Sequence, residues 1–428
     1  MEKRLALLFA LILSCSASFA QKRWTLQDCI DYAMANNITL KKSQLQKQSA
    51  TEDLKGAKAA LLPTLSASTN QSLGYQPWKD TGISTVTNGV VNTKVNKTSY
   101  NGSYSLSGQW TVWNGGRNTN TVKLDAIAEQ QADLQARETA NTIQERIAQI
   151  FTQILYIDES VRVSEQTLET AKKNEERGQE MVNVGKMSKA DLAQLTSQRA
   201  NDEYNIVEAK SQLMTYKLQL KQLLEITDET DFDVAIPEIS DAQILAPIPL
   251  LHTIYEQALL SRPEIERSQL AIKSSDVSLN IAKAGWMPNI SVNGGVTTST
   301  NSLNSSGWGN QVKNNVNTSL GLGVSVPIVD GRSTKTAVNK AKIQQLQAQL
   351  DLQDQQKTLY SDIQQFWVNA TTNQEKYKAA SLSVESAQQS YDLLSAQQNQ
   401  LQSKYQTIYN KQMLNFYAAG DILERSKR

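Results

Sequence analysis

"SYSLSGQWTVW", residues 103–113, alternates with a period of two. In an extended chain Tyr104, Leu106, Trp110 and Val112 point one way, and Ser103, Ser105, Ser107, Gln109 and Thr111 the other. Three further stretches repeat the pattern. Leu65, Ala67, Leu73 and Tyr75 stand against Ser66, Ser68, Asn70 and Ser72. Ile290, Val292 and Val296 stand against Ser291, Asn293 and Gly295, and Leu320, Leu322, Val324, Val326 and Ile328 against Ser319, Gly321, Gly323 and Ser325. Each reads as a strand with one apolar and one wet face. The connections at about 76–99 and 299–317 are rich in Asn, Thr, Gly and Ser, as exposed loops are.

Four such strands cannot close a barrel, because membrane barrels begin at about eight strands and an open edge is not tolerated in lipid. Strands from several copies are therefore expected. The serine face suits a water-filled lumen and the Leu/Val face suits lipid. Tyr100, Tyr104, Trp110 and Trp113 suit the aromatic girdles of a membrane barrel. The strands alone also fit a soluble sandwich, but their neighbours in the chain offer no second sheet.

Those neighbours are helices. From Asn118 to Arg177, and again from Ser333 to Ala419, there is no Gly or Pro. Apolar or small residues recur every 3.5 positions at Ala136, Ala140, Ile143, Ile147, Ile150, Ile154, Ile157, Val161 and Leu168. A second seam runs through Ile206, Ala209, Leu213, Tyr216, Leu220 and Leu223. These are coiled-coil seams, and sixty helical residues span roughly 90 Å, more than a globular domain needs.

The chain is also a duplication. "AKAALLPTLS" (57–66) resembles "AKAGWMPNIS" (282–291), an offset of 225 that also sets Leu26 on Leu251 and Ala33 on Ala258. "WTVWNGGR" (110–117) resembles "SVPIVDGR" (325–332), with Arg117 set on Arg332 at an offset of 215. Each copy reads as helix, strand, polar loop, strand and very long helix. Pro63 and Pro288 close the first helices. The glycines of "NGGR" and "DGR" end the second strands, so Gly115, Gly116 and Arg117, and Asp330, Gly331 and Arg332, are the strand-to-helix switches. The expected divisions are a signal peptide at 1–20, a first repeat at 21–227, a proline-marked connection at 228–249 and a second repeat at 250–428 with a shortened helical hairpin.

The N-terminus fits export. Lys3 and Arg4 precede "LALLFALIL", and "SFA" supplies a small-residue cleavage site after Ala20. Cys15 faintly resembles a lipoprotein cleavage box, but the better-formed site lies downstream. Without Cys15, Cys29 stands alone and cannot form an intramolecular disulfide. Beyond the signal there is no apolar stretch near the ~20 residues a membrane helix needs. With 43 basic against 42 acidic residues, no net field points to nucleic acid.

Taken together, "WTLQDCIDYAMANN" near the mature start, "LLPTLS" and "WMPNIS" before strands, "VWNGGR" and "IVDGR" at the switches, and "VGKMSKADL" (184–192) resemble the TolC family of outer-membrane efflux proteins. Their duplicated order carries the resemblance. It implies a mainly α fold with membrane β: long antiparallel coiled-coil helices plus four β-strands per protomer. A homotrimer would form a twelve-stranded barrel in the Gram-negative outer membrane and a helical tunnel in the periplasm. The implied partners are outer-membrane lipid, a periplasmic adaptor (membrane fusion protein) and an inner-membrane transporter, in tripartite efflux or type I secretion. The implied role is a passive conduit whose cargo of drug, metal or protein is set by the inner-membrane partner. On the same resemblance "VGKMSKADL" is the periplasmic tip. There Gly185 permits a left-handed reversal, Ser188 caps the returning helix, and Asp191 either starts that helix or adds charge to a gate.

The second copy departs from the family. From "DGR" to "YAAGD" spans about 89 residues, some twenty fewer than from "NGGR" to "LLEI", and no glycine turn is found. A 3.5-residue register runs from Leu359 through Ile363, Phe366, Ala370, Tyr377, Tyr391, Leu401 and Tyr405 to Ile408. Either the chain reverses near Gln397–Gln400, or it ends as one helix of roughly 85 residues.

Catalytic readings fare badly. The one histidine, His252, falls opposite Gln27 in the repeated helix, as a surface or packing residue. "GKMS" lacks the P-loop's glycine spacing and follows a helix. The carboxylates are scattered on heptad faces, where i,i+4 pairing is expected. No cofactor, metal cluster or enzyme activity is expected. The competing reading is a structural coiled-coil protein of the envelope, which would not need four alternating segments bounded by Trp and Tyr.

Overall fold

A computed structural model describes residues 23–78, 81–86, 89–94, 96–228, 232–387 and 393–419; the expected signal peptide lies outside them. In chain order the elements are β1 (Arg23–Trp24), α1 (Leu26–Asn36), α2 (Ile38–Ala59), β2 (Thr64–Tyr75), β3 (Thr81–Val86), β4 (Gly89–Lys94), β5 (Thr98–Trp113), α3 (Arg117–Asn183) and α4 (Lys189–Leu223). There follow β6 (Asp233–Val234), α5 (Asp241–Ile244), α6 (Leu251–Ser261), α7 (Pro263–Lys283), β7 (Asn289–Asn301), α8 (Trp308–Asn314), β8 (Asn317–Ser325), α9 (Ser333–Ala387) and α10 (Leu393–Ala419). No described helix is long and apolar enough to cross a membrane.

Two compact units emerge. One comprises residues 1–47, 131–269 and 350–428, the other residues 48–130 and 270–349, and all four chain crossings fall inside helices. The second unit carries an antiparallel sheet of order β2-β5-β7-β8. Both loops hold more structure than their composition predicts: a β3-β4 hairpin in the first, helix α8 in the second.

The helical unit repeats its packing at the 225-residue offset. Cys29, Ala33 and Leu40 are buried in one cluster, and Ile254, Ala258 and Ile265 in another. The first cluster joins α1 to Ile143, Ile147, Ile150 and Ile154 of α3 and Leu220 of α4; the second joins α6 to Leu359 and Ile363 of α9 and Met413 and Phe416 of α10. The heptad seams read from the sequence supply the α3 and α4 residues of the first cluster and Leu359 and Ile363 of the second; Met413 and Phe416 lie beyond the register.

Each first helix is broken where the sequence reads as continuous. The joints are Asn37 and Arg262, again 225 apart, both polar and both buried. Asn37 Nδ2 donates to the Leu223 carbonyl at 3.1 Å, and its Oδ1 accepts from the Leu40 amide, so it satisfies helix-end groups. Arg262 is paired with Glu264 at 2.8 Å and Glu145 at 3.3 Å, and its guanidinium lies over the rings of Phe416 and Tyr417 at 4.6 and 4.2 Å.

The connection between the repeats is held in place. Lys411 Nζ donates to the carbonyls of Ile244 and Ala246 at 2.7 and 2.6 Å, Gln374 reaches the same two, and Trp367 Nε1 donates to Pro249. Burial lowers the Lys411 ammonium pKa. Tyr377 donates to Asp241 at 2.7 Å; burial and that carboxylate push its phenol up to about 12.

The second reversal corrects the sequence reading. Ser381 pairs with Gln400, and Phe366 packs against Tyr409, so α9 and α10 run antiparallel. Helix α9 runs to Ala387 and α10 starts at Leu393, so the expected Gln397–Gln400 lie inside α10. A single helix of roughly 85 residues is excluded; Tyr391, in the proposed register, lies outside the described residues.

The Arg262 joint predicts opposite effects for two substitutions. Arg262→Ala strands two carboxylates beside a core and should cost about 3–5 kcal/mol, read by thermal unfolding in detergent. Burial raises the Glu145 carboxyl despite the opposing pull of Arg262, so its charged form is a net cost in the folded state. That cost is absent below the unfolded carboxylate range and complete above the shifted one. Glu145→Gln should therefore raise the melting temperature at pH 7, with the gain vanishing near pH ~4.

Candidate functional site

The sheet register sorts every strand residue to a face. Leu106 stands opposite Ala67 and Val296, Gly108 opposite Leu65 and Gly294, Trp110 opposite Val292, and Val292 opposite Leu322. All are partly or fully open: Leu65 is 72% exposed, Leu320 83% and Leu322 70%. On the other face Ser66 and Ser68 share hydrogen bonds with Ser107 and Ser105 at 2.9 and 2.6 Å, a polar ladder across the strands.

Trp113 reaches the apolar face through a defect. Three residues beyond Trp110, it belongs by alternation to the serine face. Thr111 pairs with Ser291 and Trp113 with Ile290, so Val112 is an extra residue and the register slips. The bulge sets Trp113 on the side of Ile290 and Val292. Tyr100 and Tyr104 lie on that same face near the strand's other end, Tyr100 donating to Gln71.

The switches between strand and helix are built by capping. Asn114 Oδ1 accepts from the Asn118 amide at 3.1 Å, and Asp330 Oδ2 from the Thr334 amide at 2.7 Å. Those hydrogen bonds from Thr334 hold the Asp330 carboxyl below its ordinary range. The equivalence is therefore Asn114 with Asp330, an offset of 216. This corrects the offset of 215: Arg332 stands in the place of Gly116, and Ser333 in that of Arg117. The conformations agree, since Gly115 and Gly116 have φ of 69° and 77°, and Gly331 and Arg332 have 58° and 71°. Arg332 thus holds a left-handed backbone that L-residues adopt at a cost. Pro63 immediately precedes β2, and Pro288 precedes β7.

Two close approaches at these switches escape sequence reading. A Cβ on Gly115 would lie 2.5 Å from Met287 Cβ and 3.0 Å from the Ala284 carbonyl, while one on Gly285 would meet the Thr334 side chain at 2.8 Å. The end of α2 is closed similarly, by Trp110 Nε1 on the Leu61 carbonyl and Asn118 Nδ2 on that of Ala60.

In the helical unit, α3 ends at Asn183 in a paired-bond cap. The Lys186 amide donates to Met181 at 2.8 Å and that of Gly185 to Val182 at 3.0 Å, with Gly185 at φ 73°. Ser188 caps α4: its Oγ accepts from the Asp191 amide at 3.1 Å and donates to the Asp191 carboxylate at 2.8 Å. Gly178, absent from the sequence reading, is buried where Leu195 of α4 crosses; a Cβ there would meet Leu195 Cδ1 at 2.7 Å. His252 is exposed and pairs only with Glu256 among the described residues.

The model of the family described as "outer membrane efflux protein" matches residues 29–225 and 254–406. The chain belongs to that family. It is 22% identical over 343 residues to the outer membrane efflux protein BepC of Brucella suis, covering 80% of this chain and 69% of that protein. The solved structure of CusC, described as forming a transmembrane channel, superposes with a TM-score of 0.74 at 16% identity, over 92% of this chain and 91% of that one. The outer-membrane channel OprN superposes with a TM-score of 0.71 at 16% identity, over 92% and 89%. The chain is accordingly an outer-membrane efflux channel protein, with the mixed helical and β architecture of that group.

Two outcomes follow. Leu106→Arg places a charge on the Leu/Val face, which in contact with lipid costs about 2–4 kcal/mol near the midplane, and should abolish the assembled form on gels; Ser105→Arg should leave it. Gly115→Ala combines left-handed strain with a clash at Met287 and should cut assembly yield well below Gly116→Ala, whose Cβ meets only Asn120 at 3.7 Å.

Proposed function

We propose that the chain works as a homotrimer, closing a twelve-stranded barrel and a helical tunnel into one passive export conduit. The observation that carries this is the pair of open edges on the four-stranded sheet, β2 on one side and β8 on the other. In a membrane each edge must find a partner for its backbone groups, and a head-to-tail ring of identical sheets joins β8 of one copy to β2 of the next. Three copies give a barrel within the ordinary size range.

On this reading residues 1–20 are the removed signal, 21–227 and 250–428 are the two repeats, and 228–249 joins them. Tyr100, Tyr104, Trp110 and Trp113 form the membrane girdles. Gly115, Gly116, Arg117, Asp330, Gly331 and Arg332 turn strands into helices, and Pro63 and Pro288 turn helices into strands. Gly185, Ser188 and Asp191 form the periplasmic tip and gate. A periplasmic adaptor and an inner-membrane transporter supply energy and choose the cargo; this chain uses no cofactor.

The test is the mass and conductance of the detergent-extracted mature protein. Three chains per particle and discrete conductance steps in planar bilayers are expected; a stable monomer with no conductance overturns the conduit. Asp191→Asn keeps a side-chain acceptor for the Ser188 cap but removes the charge. Altered cation block would place Asp191 at the gate, and an unchanged single-channel record would leave it as a helix cap.

A further inference from the structure

Helix α8 lies on the side of the sheet that carries Leu106 and Val296. The register fixes this, because Tyr104 and Thr298 stand opposite each other two positions beyond that pair. Trp308 Nε1 donates to the Tyr104 hydroxyl at 3.2 Å with the rings edge to face, and Thr298 Oγ1 donates to the Val312 carbonyl at 2.7 Å. The fold of the segment is specified: Gln311, 6% exposed, accepts from the Asn301 amide at 2.8 Å and donates to the Ser306 carbonyl at 2.6 Å. Thr300 is left 4% exposed on the same face. In a barrel with its Leu/Val face in lipid, this connection folds down the outside of the wall.

The segment nevertheless keeps apolar surface open, with Trp308 58%, Leu303 59% and Val316 52% exposed. The connections at 76–99 and 302–316 carry Lys79, Lys94, Lys97 and Lys313 against one acid, Asp80. Tryptophan at the edge of an apolar band beside lysine is the composition of an element lying in a lipid headgroup layer. The spacing agrees. From Trp113 to Tyr104 are eight strand steps once the bulge is discounted, about 26 Å along the strand and roughly 20 Å when tilted, against an apolar band of about 25 Å. Trp110 and Trp113 then mark one boundary, and Tyr104 with Trp308 the other.

We propose that α8 is an outer-leaflet anchor. It lies among the phosphate-bearing headgroups around the barrel, with Trp308 at the hydrocarbon boundary and Lys313 against the phosphates, and it fixes the height at which the wall sits. This rests on the barrel reading, so the test reports on both. Single nitroxide labels are placed at Asn310→Cys, Leu106→Cys and Ser105→Cys in the full mature protein, where Cys29, 0% exposed, does not compete for the reagent. Collision with oxygen and with a water-soluble nickel chelate is measured in vesicles of phosphatidylcholine and phosphatidylglycerol. The expected result is a lipid-buried label at 106, a water-exposed one at 105 and a headgroup-depth one at 310. That last label should shift toward water on Lys313→Glu or Trp308→Ala. A label at 310 as open to nickel as that at 105, with 106 still in lipid, overturns the anchor and leaves the barrel standing. A label at 106 open to water overturns both.

Discussion

Everything in this molecule depends on a sheet that cannot be left alone. Four strands with an apolar face and two unpaired edges are unstable in water and forbidden in lipid, where each bare backbone group costs several kcal/mol. The serine face excludes burial of the sheet between apolar layers, since Ser66, Ser68, Ser105 and Ser107 satisfy one another only in part and keep acceptors for water. The Leu/Val face excludes exposure to water. Lipid on one side and a wet lumen on the other satisfy both.

A wall of that kind needs sharp joints, and the joints explain where the unusual backbone sits. Of six described residues with positive φ, four lie at the two strand-to-helix switches, one at the α3–α4 turn and one, Glu225, just after α4. The switches use an Asn or Asp to cap the long helix and two left-handed residues to aim it. The first copy holds glycine at both left-handed positions, and its Gly115 also admits Met287. In the second copy Arg332 holds the second left-handed position, and a Cβ on the neighbouring Gly331 would meet nothing within 4 Å.

Periodicity showed most of the fold because it reports on solvent: alternation for the two-faced strands, 3.5-residue seams for the helices, and proline and glycine for the joints. It was blind wherever one residue's neighbour lies far along the chain. The bulge at Val112 leaves no mark in composition, yet it decides Trp113's face. Gly178 reads as a flaw in a helix until Leu195 is seen to cross it. The second reversal stayed one of two alternatives because a 3.5-residue register runs from α9 into α10, so hydrophobic spacing alone cannot distinguish a hairpin from a rod. Helix α8 hid in a polar loop because it is held by Gln311 bonding to the backbone of its own connection and Trp308 bonding to the distant Tyr104, not by an apolar stripe.

The two repeats are interchangeable in outline, and the joints keep them distinct. At Asn37 the first repeat buries a neutral amide that serves its own helix ends and needs nothing from the second. At the equivalent position the second repeat buries Arg262, whose charge is met by Glu264 beside it and by Glu145 on α3 of the first. A pairing of repeats in the wrong order would leave that guanidinium against aromatic rings with Glu264 and without Glu145. Glu145 accepts a raised pKa as its share of the arrangement. The polar residue that breaks the helix in each copy therefore also distinguishes the two copies by the partners it needs.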